Sequence, residues 1–157
     1  MEDAVDLFGL EPGVGRGVSR SGAHWAEQGA FTSTPQVFAA PLAFAMAGIT
    51  PADIDVYECY DPFTFVTLMQ LEDSGFCPKG EAGAFVEEQG ITFDGGALPT
   101  NTHGGLLSHA YVLGIAHVVE LVRQLRGEAD AQVEGAEVGA YGGFTGPDSV
   151  TLVLRRS

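Results

Sequence analysis

Residues 98–117 read LPTNTHGGLLSHAYVLGIAH. The first half is polar and turn-rich, with Asn101-Thr102-His103-Gly104-Gly105 in sequence. From Leu107 onward apolar residues recur at helical spacing: Tyr111, Ile115, Val118, Val119, Val122 and Leu125, until Gly127. The pattern predicts one long helix over 107–126, fed by a glycine loop. Such a junction presents free backbone N–H groups and the positive end of a helix dipole. It can hold a carbonyl oxygen or a developing enolate. The same residues also read as an ordinary tight turn and helix start.

Working outward, PQVFAAPLAFAMAG (35–48) predicts a helix capped by Thr34, with Pro35 in its first turn and Gly48 at its stop. Its apolar residues cover nearly every face, so it is expected to be buried. DVYECY (55–60) predicts a strand. Asp61-Pro62 then opens a helix that Gly75 ends, with Asp61 as its cap. Residues 76–107 hold many glycines and short extended pieces, including a strand at 91–93. Two strands, 136–141 and 149–154, close the chain, separated by Gly142, Gly143, Gly146 and Pro147 as in a hairpin. Residues 1–34 form an uneven, partly irregular N-terminal segment with a short strand around 16–20, ahead of a domain over 35–157. The fold class is α/β, a mixed sheet covered by helices.

The chain has 157 residues, 7 Lys and Arg against 21 Asp and Glu, a net charge of −14 and 22 glycines. That charge excludes nucleic acid and anionic membrane as partners, which need a basic footprint. No apolar run reaches the roughly 18 residues of a membrane span. The acidic N-terminus lacks the order of a signal peptide. Cys59 and Cys77 make neither a disulfide framework nor a zinc pattern. A cytoplasmic protein is expected.

The 98–117 stretch, N-x-x-G-G-L-L-S-x-x-x-x-x-G, resembles a segment of the thiolase superfamily, especially its sterol-carrier-protein type. Those proteins carry Asn-Pro-Ser-Gly-Gly-Leu followed by Gly-His-Pro. Upstream, GITPADIDVYECYDPFT (48–64) resembles the family strand that ends in Asn-Glu-Ala-Phe or His-Asp-Cys-Phe. Downstream, GAYGGFTGPDSVTLVL (139–154) resembles the Cys-Gly-Gly-Gly hairpin. The three motifs stand in family order over 35–157 and imply a thiolase-like half-fold.

Tyr111 stands where the family has the Gly-His-Pro histidine, Tyr141 where it has the hairpin cysteine, and Tyr57 where it has the strand Asn or His. This pattern resembles the lipid-transfer-protein-type aldolases of bacterial steroid side-chain degradation. The resemblance implies retro-aldol cleavage of a β-hydroxyacyl-CoA. That reaction requires a base, an oxyanion site and an acid, but no covalent nucleophile. Tyr141 and Tyr111 are then expected to transfer protons at the β-hydroxyl and at Cα, in an order left open. Tyr57 would line the oxyanion site, and His103 would tune a tyrosine or bind the thioester oxygen. Asn101, Gly104, Gly105, Gly142 and Gly143 would surround the substrate. Tyr60 alternates to the strand face opposite Tyr57 and is expected to pack. His109 and His117 fall eight residues apart on the expected helix, with no third ligand in view, so no metal is expected. Coenzyme A enters only as part of the substrate, and no other cofactor is expected.

The resemblance covers the C-terminal half of a larger fold, which leaves three readings: a fragment or processed piece, one subunit of a split pair, or a half-domain that homo-oligomerises. It implies a thiolase N-terminal half, or a second copy, as an obligate partner, and a zinc-ribbon/OB-fold protein as a further one. The alternative is a non-catalytic acyl-CoA-binding or scaffold subunit that has lost thiolase chemistry.

Overall fold

Gly48 takes φ 67°, the left-handed conformation that closes a helix, and it ends α1 (Gln36–Ala47) where the sequence places the stop. The computed structural model describes residues 10–18 and 31–156. The remaining elements are β1 (Leu10–Val18), β2 (Val56–Cys59), α2 (Thr64–Asp73), α3 (Ala82–Glu88), α4 (Gly105–Ser108), α5 (Ile115–Arg126), β3 (Val138–Phe144) and β4 (Asp148–Arg156). A single 3-10 turn, Pro51–Asp53, precedes β2.

The strands form one mixed sheet in the order β1-β4-β3-β2. β4 pairs antiparallel with β1 and with β3, and β2 runs parallel to β3. β1 lies inside the 1–34 segment. It occupies the place of the strand expected around 16–20, of which Ser19 and Arg20 lie outside the described residues. Beyond β2, Thr100 adds one parallel bridge to Tyr57.

Each sheet face has its own core. Tyr57, Cys59, Ala140 and Val153 pack with Ala40, Ala43 and Phe44 of α1 and Leu71 of α2. Val56, Tyr141 and Leu154 pack with Leu121 and Leu125 of α5. Full burial of a leucine contributes about 1.5–3 kcal/mol, so these two anchor α5. Gly139 makes room for them, since a Cβ there would collide with the Leu121 side chain.

Several elements depart from the expectation. α2 starts at Thr64 without a side-chain cap, because the Asp61 carboxylate is engaged by Leu106 and His117 instead. Residues 91–93 are not a strand, and α3 occupies part of the expected loop. The 107–126 helix is broken into α4 and α5. Between them Leu113 takes φ 61°, a left-handed turn no helix contains. Gly142 and Gly143 do not turn the hairpin. They pair with Thr151 and Val150 inside the ladder, and only 145–147 form the turn. α1 buries Ala39, Ala40, Ala43 and Phe44 but leaves Val37 and Leu42 exposed, so it is not covered all round. Among the described residues no helix is long and apolar enough to cross a membrane.

Candidate active site

Strand alternation decides which side chains meet. Tyr57 and Cys59 point to the α1 and α2 side, while Val56 and Glu58 point to α5. Tyr57 is fully buried, its hydroxyl 3.1 Å from Ser74 Oγ and its ring 4.7 Å from that of Phe76. Burial raises its pKa well above 10. The structure sets the Tyr57 side chain on the sheet face opposite Tyr141 and His103; of the candidates its side chain meets Gly142.

The 101–105 loop is fastened to the end of β2. Asn101 Nδ2 donates to the Cys59 carbonyl at 3.0 Å, and its Oδ1 accepts the Cys59 N–H at 2.8 Å. The same residue takes φ 50°. Thr102 donates its N–H to Glu58 Oε1 at 3.0 Å. His103 follows, with Nδ1 3.1 Å from Glu58 Oε2. That contact is an ion pair without a well-directed hydrogen bond, since both atoms lack a hydrogen-bond partner. Burial opposes charge on His103, but the Glu58 carboxylate outweighs it and lifts the imidazole above its ordinary 6.5.

Asp61 joins this loop to α5. Its Oδ1 accepts the Leu106 N–H at 2.9 Å and lies 2.9 Å from His117 Nε2. Burial disfavours its charge, yet the His117 and Leu106 bonds outweigh burial and hold the carboxyl below its usual range. An ionised carboxylate only accepts, so His117 donates from Nε2. Gly105 lies against this group, where a Cβ would collide with the Asp61 carboxylate. The His103 ring lies 4.9 Å from that of His117 and 5.4 Å from that of His109. His109 and His117 thus meet around His103 and do not share a helix face.

The tyrosines gather beside this cluster. Tyr141 projects from β3 toward Gly114, where a Cβ would collide with its hydroxyl. A cavity of about 240 Å³ runs past Tyr141, Tyr60, Gly114, Gly143 and Ser149. Tyr60 reaches it from the Glu58 side of the strand, and its hydroxyl lies 3.0 Å from that of Tyr111. Tyr60 thus lines this cavity, where the sequence reading expected it to pack. Its parity with Glu58 was the available signal. Tyr111 stands in the 109–114 break and is exposed. Desolvation and then the Tyr111 bond push Tyr60 up to about 12. Desolvation also raises Tyr141, so both phenols stay protonated at neutral pH. Burial likewise raises the Cys59 and Cys77 thiols, which disfavours the reactive thiolate of each.

A second cavity, about 490 Å³, is walled by Thr102, His103, His109, Val112, Glu120 and Arg123 among others. The 109–114 break separates the two hollows, with Val112 on one side and Leu113 and Gly114 on the other. Gly142 faces the opposite side, where a Cβ would press on Tyr57, Gln70 and Gln36.

A domain family described as thiolase C-terminal domain-like matches residues 17–156. A 17-hydroxy-3-oxo-4-pregnene-20-carboxyl-CoA lyase of Mycobacterium tuberculosis is 46% identical over 111 residues, which cover 71% of this chain and 28% of the lyase. An acetyl-CoA acetyltransferase of Methanothermobacter thermautotrophicus is 44% identical over 126 residues, covering 76% of this chain and 33% of that enzyme. The solved structure of an Ltp2-ChsH2(DUF35) aldolase superposes with TM-score 0.86 at 32% identity, covering 92% of this chain and 38% of that one. The chain thus spans about a third of the length of these relatives.

Proposed function

The chain belongs to the thiolase C-terminal domain-like family, and from that membership we propose that it supplies the tyrosine half of an acyl-CoA aldolase active site. The substrate class is a β-hydroxyacyl-CoA with a bulky, steroid-like side chain. One observation carries the reading: Tyr60 and Tyr141 share one cavity, and Tyr111 bonds the Tyr60 hydroxyl. The aldolase and lyase relatives agree with it. Thiolase chemistry, which the acetyltransferase relative suggests, lacks a reactive thiol at these positions.

The roles follow from protonation. The β-hydroxyl proton passes to the Tyr60 oxygen as Tyr60 gives its own proton to Tyr111, which is open to water. The Cα–Cβ bond breaks, the β-carbon becomes a ketone, and the electron pair moves into the thioester enolate. Tyr141, kept protonated by burial, donates to Cα and is reprotonated from water. The loop at Gly104 and Gly105, with His103 beside it, stabilises the enolate oxygen. Asn101 positions that loop, and Gly143 keeps space beside the Tyr141 ring. Coenzyme A enters as part of the substrate, and the step needs no covalent nucleophile.

The rest of the site lies outside these residues, in a thiolase N-terminal half or a second copy, with a zinc-ribbon/OB-fold subunit beside it. The exposed Val37 and Leu42 face of α1 supports such packing. With 7 basic against 21 acidic residues, the CoA phosphates are held by that partner, in a cytoplasmic complex.

The test is co-expression with neighbouring gene products and mass spectrometry of a β-hydroxyacyl-CoA panel. The expected products are a ketone and a shortened acyl-CoA. Tyr141→Phe and Tyr111→Phe are each expected to lower the rate about 10²- to 10⁴-fold. Cleavage at the wild-type rate in both variants rejects the assignment. Binding without turnover by the assembled wild type supports a scaffold subunit instead.

A further inference from the structure

Glu58 Oε2, both ring nitrogens of His103 and Nδ1 of His117 are buried without a hydrogen-bond partner. The side chains are 0%, 9% and 0% exposed. One ligand atom from each of the three residues lies within 4.8 Å of the others. Buried polar atoms are normally satisfied, so several in one place require an explanation. We propose that Glu58, His103 and His117 bind one divalent transition-metal ion of the zinc class, leaving a fourth coordination position open.

The donor set is two imidazoles and one carboxylate, which suits zinc-class ions and not the all-oxygen shell of magnesium or calcium. The ligands are oriented from behind. His117 donates Nε2–H to Asp61, which leaves the Nδ1 lone pair without a partner. A carboxylate behind a ligating histidine is the usual support of such a site. Thr102 occupies Glu58 Oε1 and leaves Oε2 free. Bonds of about 2.0–2.1 Å put tetrahedral ligand atoms about 3.3 Å apart. Glu58 Oε2 and His103 Nδ1 are already 3.1 Å apart. The widest separation closes by about 1.5 Å through side-chain rotation.

Charge favours a cation. Glu58, Asp61 and Glu120 all act on His103, and none of the buried residues described is a lysine or arginine. A bare His103–Glu58 ion pair accounts for two of the orphan atoms. It leaves the buried His117 Nδ1 without a partner, which a bound ion would satisfy. Thr102 and His103 wall the 490 Å³ cavity, which gives an ion its route of entry. The site shares His103 with the proposed enolate pocket and borders the tyrosine cavity through His117. Metal binding is read without turnover, so it can fail or hold independently of the aldolase reading.

The test uses the untagged protein in the assembly in which it purifies, stripped with chelator. Zn(II) is titrated by calorimetry and Co(II) by visible absorption. The expected result is one equivalent per chain, with four-coordinate cobalt bands and no thiolate charge-transfer band. Glu58→Gln and His117→Gln are each expected to weaken binding about 100-fold or more, and Asp61→Asn about 10- to 100-fold. His103→Asn on the loop is expected to act like the ligand variants and serves if a buried variant fails to fold by circular dichroism. No saturable binding by the wild type overturns the proposal. So does a thiolate band, or binding unchanged in the folded variants.

Discussion

Gly114→Ala tests whether the cavity wall is built around the Tyr141 hydroxyl. Gly114 has φ −68° and ψ −11°, values open to any residue, so alanine meets no backbone strain there. At the start of α5, helix propensity alone would favour alanine by up to about 1 kcal/mol. Against this, the new Cβ would collide with the Tyr141 hydroxyl and lie 3.0 Å from the ring carbon that bears it. Overpacking of this kind costs about 1–3 kcal/mol. Net destabilisation of roughly 1–2 kcal/mol is expected. Tyr141→Phe removes the colliding atom and should itself cost less than about 1 kcal/mol. In the double variant the collision is relieved, so the two changes should couple by about 1–2 kcal/mol with a stabilising sign. Urea unfolding of the four proteins measures the cycle. Additivity within about 0.5 kcal/mol would show that the phenol does not rest against Gly114.

Tyr57→Phe strips a buried hydroxyl from Ser74 and should cost about 1 kcal/mol of stability, with kcat/KM for ketone formation within about twofold of wild type. A much larger loss of turnover would return Tyr57 to the site. Asp73 accepts the Thr34 N–H at 2.6 Å, the Ser33 and Thr34 hydroxyls, and Lys79 Nζ at 2.8 Å. Asp73→Ala should therefore cost about 3 kcal/mol by thermal unfolding, and a change under about 1 kcal/mol would contradict the network. In the chelator-stripped protein two groups shape stability against pH. His103 is raised in the folded state, so its contribution is full below its ordinary 6.5 and is lost as pH rises through the folded value. Asp61 is lowered, so its contribution is present above its ordinary 3.8 and is lost as pH falls through the folded value. Denaturation midpoints from pH 3 to 9 should decline at both ends, and Glu58→Gln should flatten the alkaline limb.

The ends of α1 and α5 were legible because glycine carries a local signal. Gly48 and Gly127 both take positive φ and accept the helix stop. β2 was equally plain, as a short run of β-favouring residues. α3 was not, since AGAFVEE is under two turns long and opens with no side-chain cap. The break at 109–114 was hidden for a different reason. Its residues keep the apolar spacing of a helix, and nothing local forbids one. Contacts far along the chain decide it: Gly114 against Tyr141, and His117 against Asp61.

The candidate site follows the same division. Motif order located Tyr141 and Tyr111, because family position survives substitution. It also pointed to Tyr57, and there the two faces of β2 matter. Residues 57 and 58 point to opposite sides, so the site face is the one that receives the 101–105 loop. That face is chosen by the Thr100–Tyr57 bridge and by the Asn101 clamp on Cys59, which is a register between segments 42 residues apart. No periodicity in the chain encodes it. Asp61 makes the point most sharply. Before Pro62 it has every local mark of a helix cap, yet its carboxylate bonds groups 45 and 56 residues away. A capping aspartate bonds an N–H two or three residues ahead, and α2 starts only at Thr64 with no side-chain cap. The tertiary bonds therefore win the contest for one short side chain. In winning it they place His117 against both His103 and Tyr141, joining the histidine cluster to the tyrosine cavity through a single buried ring.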